Sequence, residues 1–271
     1  MTLQTSDNIR LQYEAHLIEN PKAVILLVHG LGEHGGRYLH VCNFFNRAGI
    51  SVYTLDQRGH GKSGGKRGFV PGFQSLVSDL DMMLLHVQKE NPNKPLFLYG
   101  HSMGGCVVLS YLIEKNPLLS GVVVTSAFIK LAFEPNPVVL TLGKFMNRIY
   151  PAFTQPNQLN PDLISRDKNV VNAYINDPLV HNKLSSALGI GMIEQGKKLS
   201  EFKGQINCPL LLTHGTADGL TSPEGSKLFA EHTTGDISLK LWEGLYHETH
   251  NEPEKEEVLQ YTLNWINKHI R

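Results

Sequence analysis

The 271-residue sequence predicts an α/β protein, a largely parallel sheet with helices on both faces. Three observations carry that expectation. Short unbroken apolar runs recur at 23–28, 50–55, 95–99, 121–125 and 209–213, and such runs suit strands buried on both sides. Stretches with helical apolar spacing separate several of them, so strand and helix alternate. The first two runs also feed glycine-rich loops, as strands entering tight turns do.

In chain order, residues 8–18 alternate moderately and suit an antiparallel edge pair with the stretch that follows. The run at 23–28 ends in His29-Gly30-Leu31-Gly32, and helical spacing then holds over 38–47 until Gly49 stops it. The strand at 50–55 opens a glycine-rich loop, 56–72. A helix over 73–89 comes after it, with Leu76, Leu80, Met83, Leu84 and Val87 on one stripe. Next come the strand at 95–99, a buried helix after Ser102 and the strand at 121–125.

Over 128–199 the rhythm breaks. Pro135, Pro137, Pro151, Pro156, Pro161 and Pro178 punctuate it, with helical patches at 138–149 and 183–198 and no strand. An insertion of this kind between two sheet strands suits a helical cap over the strand ends, where open α/β sheets bind ligands. Its apolar residues Val138, Val139, Leu140, Leu142, Phe145, Met146 and Ile149 fit ordinary core or a lipid-facing lid equally, because periodicity does not separate the two. The sheet resumes at 209–213, a last strand covers 237–242, and a helix over 254–270 closes the chain. The expected division is a core in two parts, 1–127 and 200–271, around a cap at 128–199.

Acidic and basic residues balance at 25 each, which excludes the basic surface that nucleic acid requires. Cys42, Cys106 and Cys208 are odd in number, far apart and in apolar settings, so they read as buried thiols of a reducing compartment. The first ten residues are polar, with no signal-type apolar segment, and no run approaches the ~20 apolar residues of a membrane span. A cytoplasmic protein is the expectation.

Gly100-His101-Ser102-Met103-Gly104 matches G-x-S-x-G between a strand and a helix. At such a corner the serine is strained and its neighbours must be small, and the hydroxyl stands beside the free N–H groups of a helix start. A serine hydroxyl needs a base, and the base needs a carboxylate to hold its tautomer. Asp218, in the loop after the strand at 209–213, and His247, just past the last strand, occupy the positions those partners take; Asp236 and His250 fit less well. The N–H groups of Met103 and Leu31 are the expected oxyanion donors. Two other matches are set aside. Residues 59–64 fit G-x-G-x-x-G but open no helix, and Asp56 stands where a phosphate loop has its first glycine. The histidines and carboxylates lack metal-ligand spacing, so no metal and no cofactor is expected.

With these positions placed, the sequence resembles the α/β-hydrolase family and, within it, the monoacylglycerol lipase and lysophospholipase group. The resemblance rests on His29-Gly30-Leu31-Gly32-Glu33-His34 with Arg37-Tyr38, on residues 56–63, on residues 100–105 and on residues 243–250, and it extends into the cap at Asp177-Pro178-Leu179. It implies hydrolysis of a monoacylglycerol, with a lysophospholipid or a simpler carboxylic ester as the alternative. Ser102 would be the nucleophile, His247 the base and Asp218 its orienter. It also implies a polar pocket for glycerol at Glu33, Arg37, His101, Tyr174 and His250, although Glu33 and Arg37 fit a structural ion pair nearly as well. An apolar cap with transient membrane or micelle contact is implied too.

Overall fold

The computed structural model describes residues 1–270. Its main sheet has eight strands: β1 (Thr2–Gln4), β2 (Arg10–His16), β3 (Ala23–Val28), β4 (Ile50–Leu55), β5 (Leu96–His101), β6 (Gly121–Thr125), β9 (Leu210–Gly215) and β10 (Ile237–Trp242). Their spatial order is β1-β2-β4-β3-β5-β6-β9-β10. From β4 to β10 every pairing is parallel, and β2 joins β4 antiparallel. This is the α/β-hydrolase fold. Residues 8–18 therefore supply one strand whose partners are β1 and β4; β1 forms the edge, which the sequence did not signal because only three residues pair.

Strand pleating divides the core into two layers. Val24, Leu26 and Val28 face the helices α2 (Gln74–Glu90) and α3 (Met103–Lys115), while Ala23, Ile25 and Leu27 face α1 (Leu39–Arg47) and α8 (Lys255–His269). Alternate residues of one strand thus serve opposite faces, so these strands read as continuous apolar runs. All three cysteines are buried and unpaired. Among the described residues no helix is long and apolar enough to cross a membrane.

The segment between β6 and β9 carries α4 (Pro137–Ile149), β7 (Thr154–Pro156), α5 (Lys168–Asn176), β8 (Lys183–Ser185) and α6 (Ser186–Glu201). The expectation of no strand here fails: β7 and β8 form an antiparallel pair. Three-residue strands containing Pro156 and Lys183 leave no period-2 signal. The helix expected from residue 183 starts three residues later, where Ser185 caps it by accepting from Leu188 N–H at 3.1 Å. For α4 the core alternative fails, since none of its residues is buried and Val138, Leu142, Phe145 and Ile149 face solvent. By contrast, α6 packs on α3, and Leu188, Met192 and Leu199 join the main core. The helix α7 (Pro223–His232) was also not signalled, because Phe229 is its one large buried side chain.

Candidate active site

Ser102 lies between β5 and α3 with φ 53° and ψ −116°, a conformation that costs on the order of 1–3 kcal/mol and persists only where the surroundings enforce it. They do so here through hydrogen bonds: Ser102 N–H donates to Thr125 O at 3.0 Å, and Ser102 O accepts from Phe128 N–H at 3.0 Å. Gly104 is obligatory, because a side chain there would collide with the carbonyls of Val28 and His29. The corner closes onto the end of β3, which brings the loop Gly30–Gly32 over the serine; a Cβ on Gly30 would sit 3.2 Å from Ser102 Cβ.

The loops after β9 and β10 complete the arrangement. Ser102 Oγ lies 2.9 Å from His247 Nε2, and His247 Nδ1–H donates to Asp218 Oδ2 at 2.7 Å. Asp218 Oδ1 accepts from the N–H groups of Leu220 and Thr221 at 2.8 and 3.0 Å. Its Oδ2 also faces His214 Nε2 at 3.0 Å and Thr221 Oγ1 at 2.9 Å. Asp236 is exposed at the other end of its strand, paired with His269.

Burial works against a charge on either partner, but their attraction outweighs it. Asp218, which burial alone would push up, is held well below the usual carboxylate range by His247 and His214. His247, which burial alone would push down, titrates above the ordinary histidine value because of the Asp218 carboxylate. A base must be neutral to accept a proton, so with His247 in its expected role as base the raised value moves the onset of activity upward. We expect the acid limb of kcat/KM to lie above pH ~6.5 and activity to rise through it; a limb near the carboxylate range would exclude His247 as the group seen.

Leu31 lines a cavity of about 190 Å³ together with Ser102 and His247, and Met103 begins α3. No backbone carbonyl among the described residues accepts from either N–H. Apolar residues of the segment between β6 and β9, among them Val139, Leu140, Ile190 and Ile193, form much of the remaining wall.

The five residues expected around glycerol cluster next to the serine, but none lines this cavity. Glu33 accepts from Gly30 N–H at 2.6 Å and from Tyr38 Oη–H at 2.7 Å, and it pairs with Arg37. Arg37 also reaches Glu248 with two nitrogens at 2.7 Å and lies 4.7 Å over the Tyr174 ring. The structural ion pair is thus present, with Glu33 bracing the loop that carries Leu31. His101 is buried, bonded to Thr125 Oγ1 at 2.9 Å, and its ring lies 4.8 Å from that of His247. His250 stacks on Tyr38 at 4.9 Å. Burial, reinforced by neighbouring histidines, holds His101 and His250 well below the ordinary histidine value. Glu248, His214 and Thr221 escaped sequence reasoning. Glu248 had only its adjacency to His247 as a signal, and His214 only its place at a strand end.

A parallel sheet with a serine at the strand-to-helix corner, facing a histidine and a buried aspartate, defines the serine hydrolases of the α/β-hydrolase fold. Residues 19–254 match the family model described as serine aminopeptidase, S33, and the chain belongs to that family. It is 35% identical over 265 residues to a monoacylglycerol lipase of Mycolicibacterium smegmatis, covering 97% of this chain and 94% of that protein. An uncharacterized abhydrolase domain-containing protein of Dictyostelium discoideum is 42% identical over 253 residues, 92% of this chain; the match spans only 27% of that protein. Among solved structures, the monoacylglycerol lipase of Paleococcus ferrophilus superposes with a TM-score of 0.88 at 34% identity, covering 96% of this chain and 99% of that one. The protein is a carboxylic ester hydrolase of the monoacylglycerol-lipase-like group.

Proposed function

We propose that this protein hydrolyses monoacylglycerols to glycerol and a free fatty acid through an acyl-enzyme on Ser102. The observation that carries the reading is the hydrogen-bonded line from Ser102 through His247 to Asp218, opening onto an apolar cavity. Likeness to proteins named monoacylglycerol lipases supports the choice of ester.

Ser102 Oγ attacks the ester carbonyl carbon while its proton passes to His247 Nε2. The carbonyl oxygen, now an anion, accepts from the N–H groups of Leu31 and Met103, each worth ~3 kcal/mol of barrier lowering. Collapse breaks the bond to glycerol, and His247 returns the proton to the leaving oxygen. Water then repeats the sequence on the acyl-serine, releasing the fatty acid and restoring Ser102. Asp218 keeps the His247 proton on Nδ1 throughout, so that Nε2 faces the serine.

In this reading the acyl chain occupies the cavity and the cap at 128–199 encloses it. Glycerol lies toward Glu33, Arg37, His101, Tyr174 and His250. The exposed apolar side of α4 supports transient contact with a lipid surface or micelle.

The test is a panel of monoacylglycerols of graded chain length beside lysophosphatidylcholine and p-nitrophenyl esters, with and without detergent. We expect the highest kcat/KM on a monoacylglycerol. A higher value on lysophosphatidylcholine or on a short p-nitrophenyl ester would replace the substrate assignment while leaving the chemistry in place.

A further inference from the structure

Two imidazoles converge on one oxygen of Asp218. His247 donates to Oδ2 from the substrate side, and His214, with no exposed side-chain surface, reaches the same oxygen from behind at 3.0 Å. A carboxylate oxygen only accepts, so His214 must carry its proton on Nε2. Its Nδ1 then accepts from Ser226 Oγ–H on α7 at 2.8 Å. The Nε2–H also lies 3.2 Å from Thr221 O, so the donor is shared between that carbonyl and the carboxylate.

Packing alone does not explain this residue. An imidazole buried at the end of a sheet strand is costly unless both nitrogens are paired, and an aliphatic side chain would fill the same volume without that cost. The pairing here runs from α7 straight into the active-site carboxylate. We propose that His214, anchored by Ser226, is a positioning residue that fixes the carboxylate of Asp218 and draws off part of its charge, and so sets the pH at which His247 becomes a base. This rests on the reading of Ser102, His247 and Asp218 as the catalytic groups.

The consequence has a definite sign. A donor on Oδ2 leaves less negative charge for His247, so removing it strengthens the hold of Asp218 on the His247 imidazolium. Neutral His247 then forms only at higher pH. The other ionisable groups facing His247 are His101, His250, Glu248 and Glu33, and substitution at 214 leaves all of them in place.

The measurement is the rate of Ser102 labelling by a fluorophosphonate probe across about pH 5 to 9, which needs no knowledge of the natural ester. For His214→Leu we expect the plateau to fall about tenfold and the acid limb to move to higher pH. In His214→Gln the side-chain N–H reaches toward the same oxygen, and the plateau should recover to within about threefold with the limb restored. Ser226→Ala, which loosens the ring without removing it, should lie between. A His214→Leu profile matching wild type overturns the proposal. So does an equal loss in the Leu and Gln variants with an unmoved limb, which is the mark of packing alone. Should His214→Leu fail to fold, an unmoved limb in Ser226→Ala is the overturning result. Wild-type protein that does not label at Ser102 would instead refute the catalytic reading beneath it.

Discussion

Replacement of Ser102 by alanine should lower kcat for ester hydrolysis by about 10⁶-fold while the protein stays folded. The hydroxyl is the sole atom group removed, and the backbone bonds that hold the corner, from Ser102 N–H to Thr125 O and from Phe128 N–H to Ser102 O, do not involve the side chain. The left-handed φ of 53° is as strained for alanine as for serine, so stability should change little. The proposed oxyanion donors at Leu31 and Met103 survive, and with substrate binding they should leave a residue of about 10³-fold over water. Steady-state kinetics beside circular dichroism checks this. Turnover near the wild-type rate in the folded variant would remove Ser102 from the chemistry.

Replacement of Asp218 by asparagine should cost about 10⁴-fold in kcat with little change in KM. The geometry dictates how. Oδ1 accepts from the backbone N–H groups of Leu220 and Thr221, which can only donate, so the amide oxygen of asparagine takes that place and its NH₂ faces His247, His214 and the Thr221 hydroxyl, which can change tautomer or rotate. Two donors cannot face each other. His247 must turn its lone pair to Nδ1 and carry its proton on Nε2, where it no longer accepts from Ser102 Oγ–H. The kinetics should therefore show a collapsed kcat with substrate affinity retained. A loss under about tenfold would mean that His247 is oriented by something other than this carboxylate.

The readable parts of the sequence share a physical cause. The runs at 23–28, 50–55 and 121–125 are buried on both faces, and the pleat turns that burial into uninterrupted apolar stretches. The serine corner was readable because strain and close approach restrict which residues stand at 100, 102 and 104. What escaped detection has little local signature. β7 and β8 are three residues each and held by one pairing; α7 anchors through Phe229. The ion pairs between Arg37 and Glu248, and between Arg166 and Glu252 at 2.5 Å, span more than 80 positions of chain.

By itself, the sequence determined the alternation of the buried parallel strands with helices, the strained serine corner, and the presence of an aspartate and a histidine in later strand-end loops. These arise from local sterics and burial, which each short stretch expresses on its own. Only the tertiary structure decided that α4 faces solvent while α6 joins the core, and that Glu33 and Arg37 brace a loop. It also placed His214 behind Asp218. Those outcomes depend on which side of a helix finds a partner and which charges meet across the fold, and neither is encoded by any stretch alone.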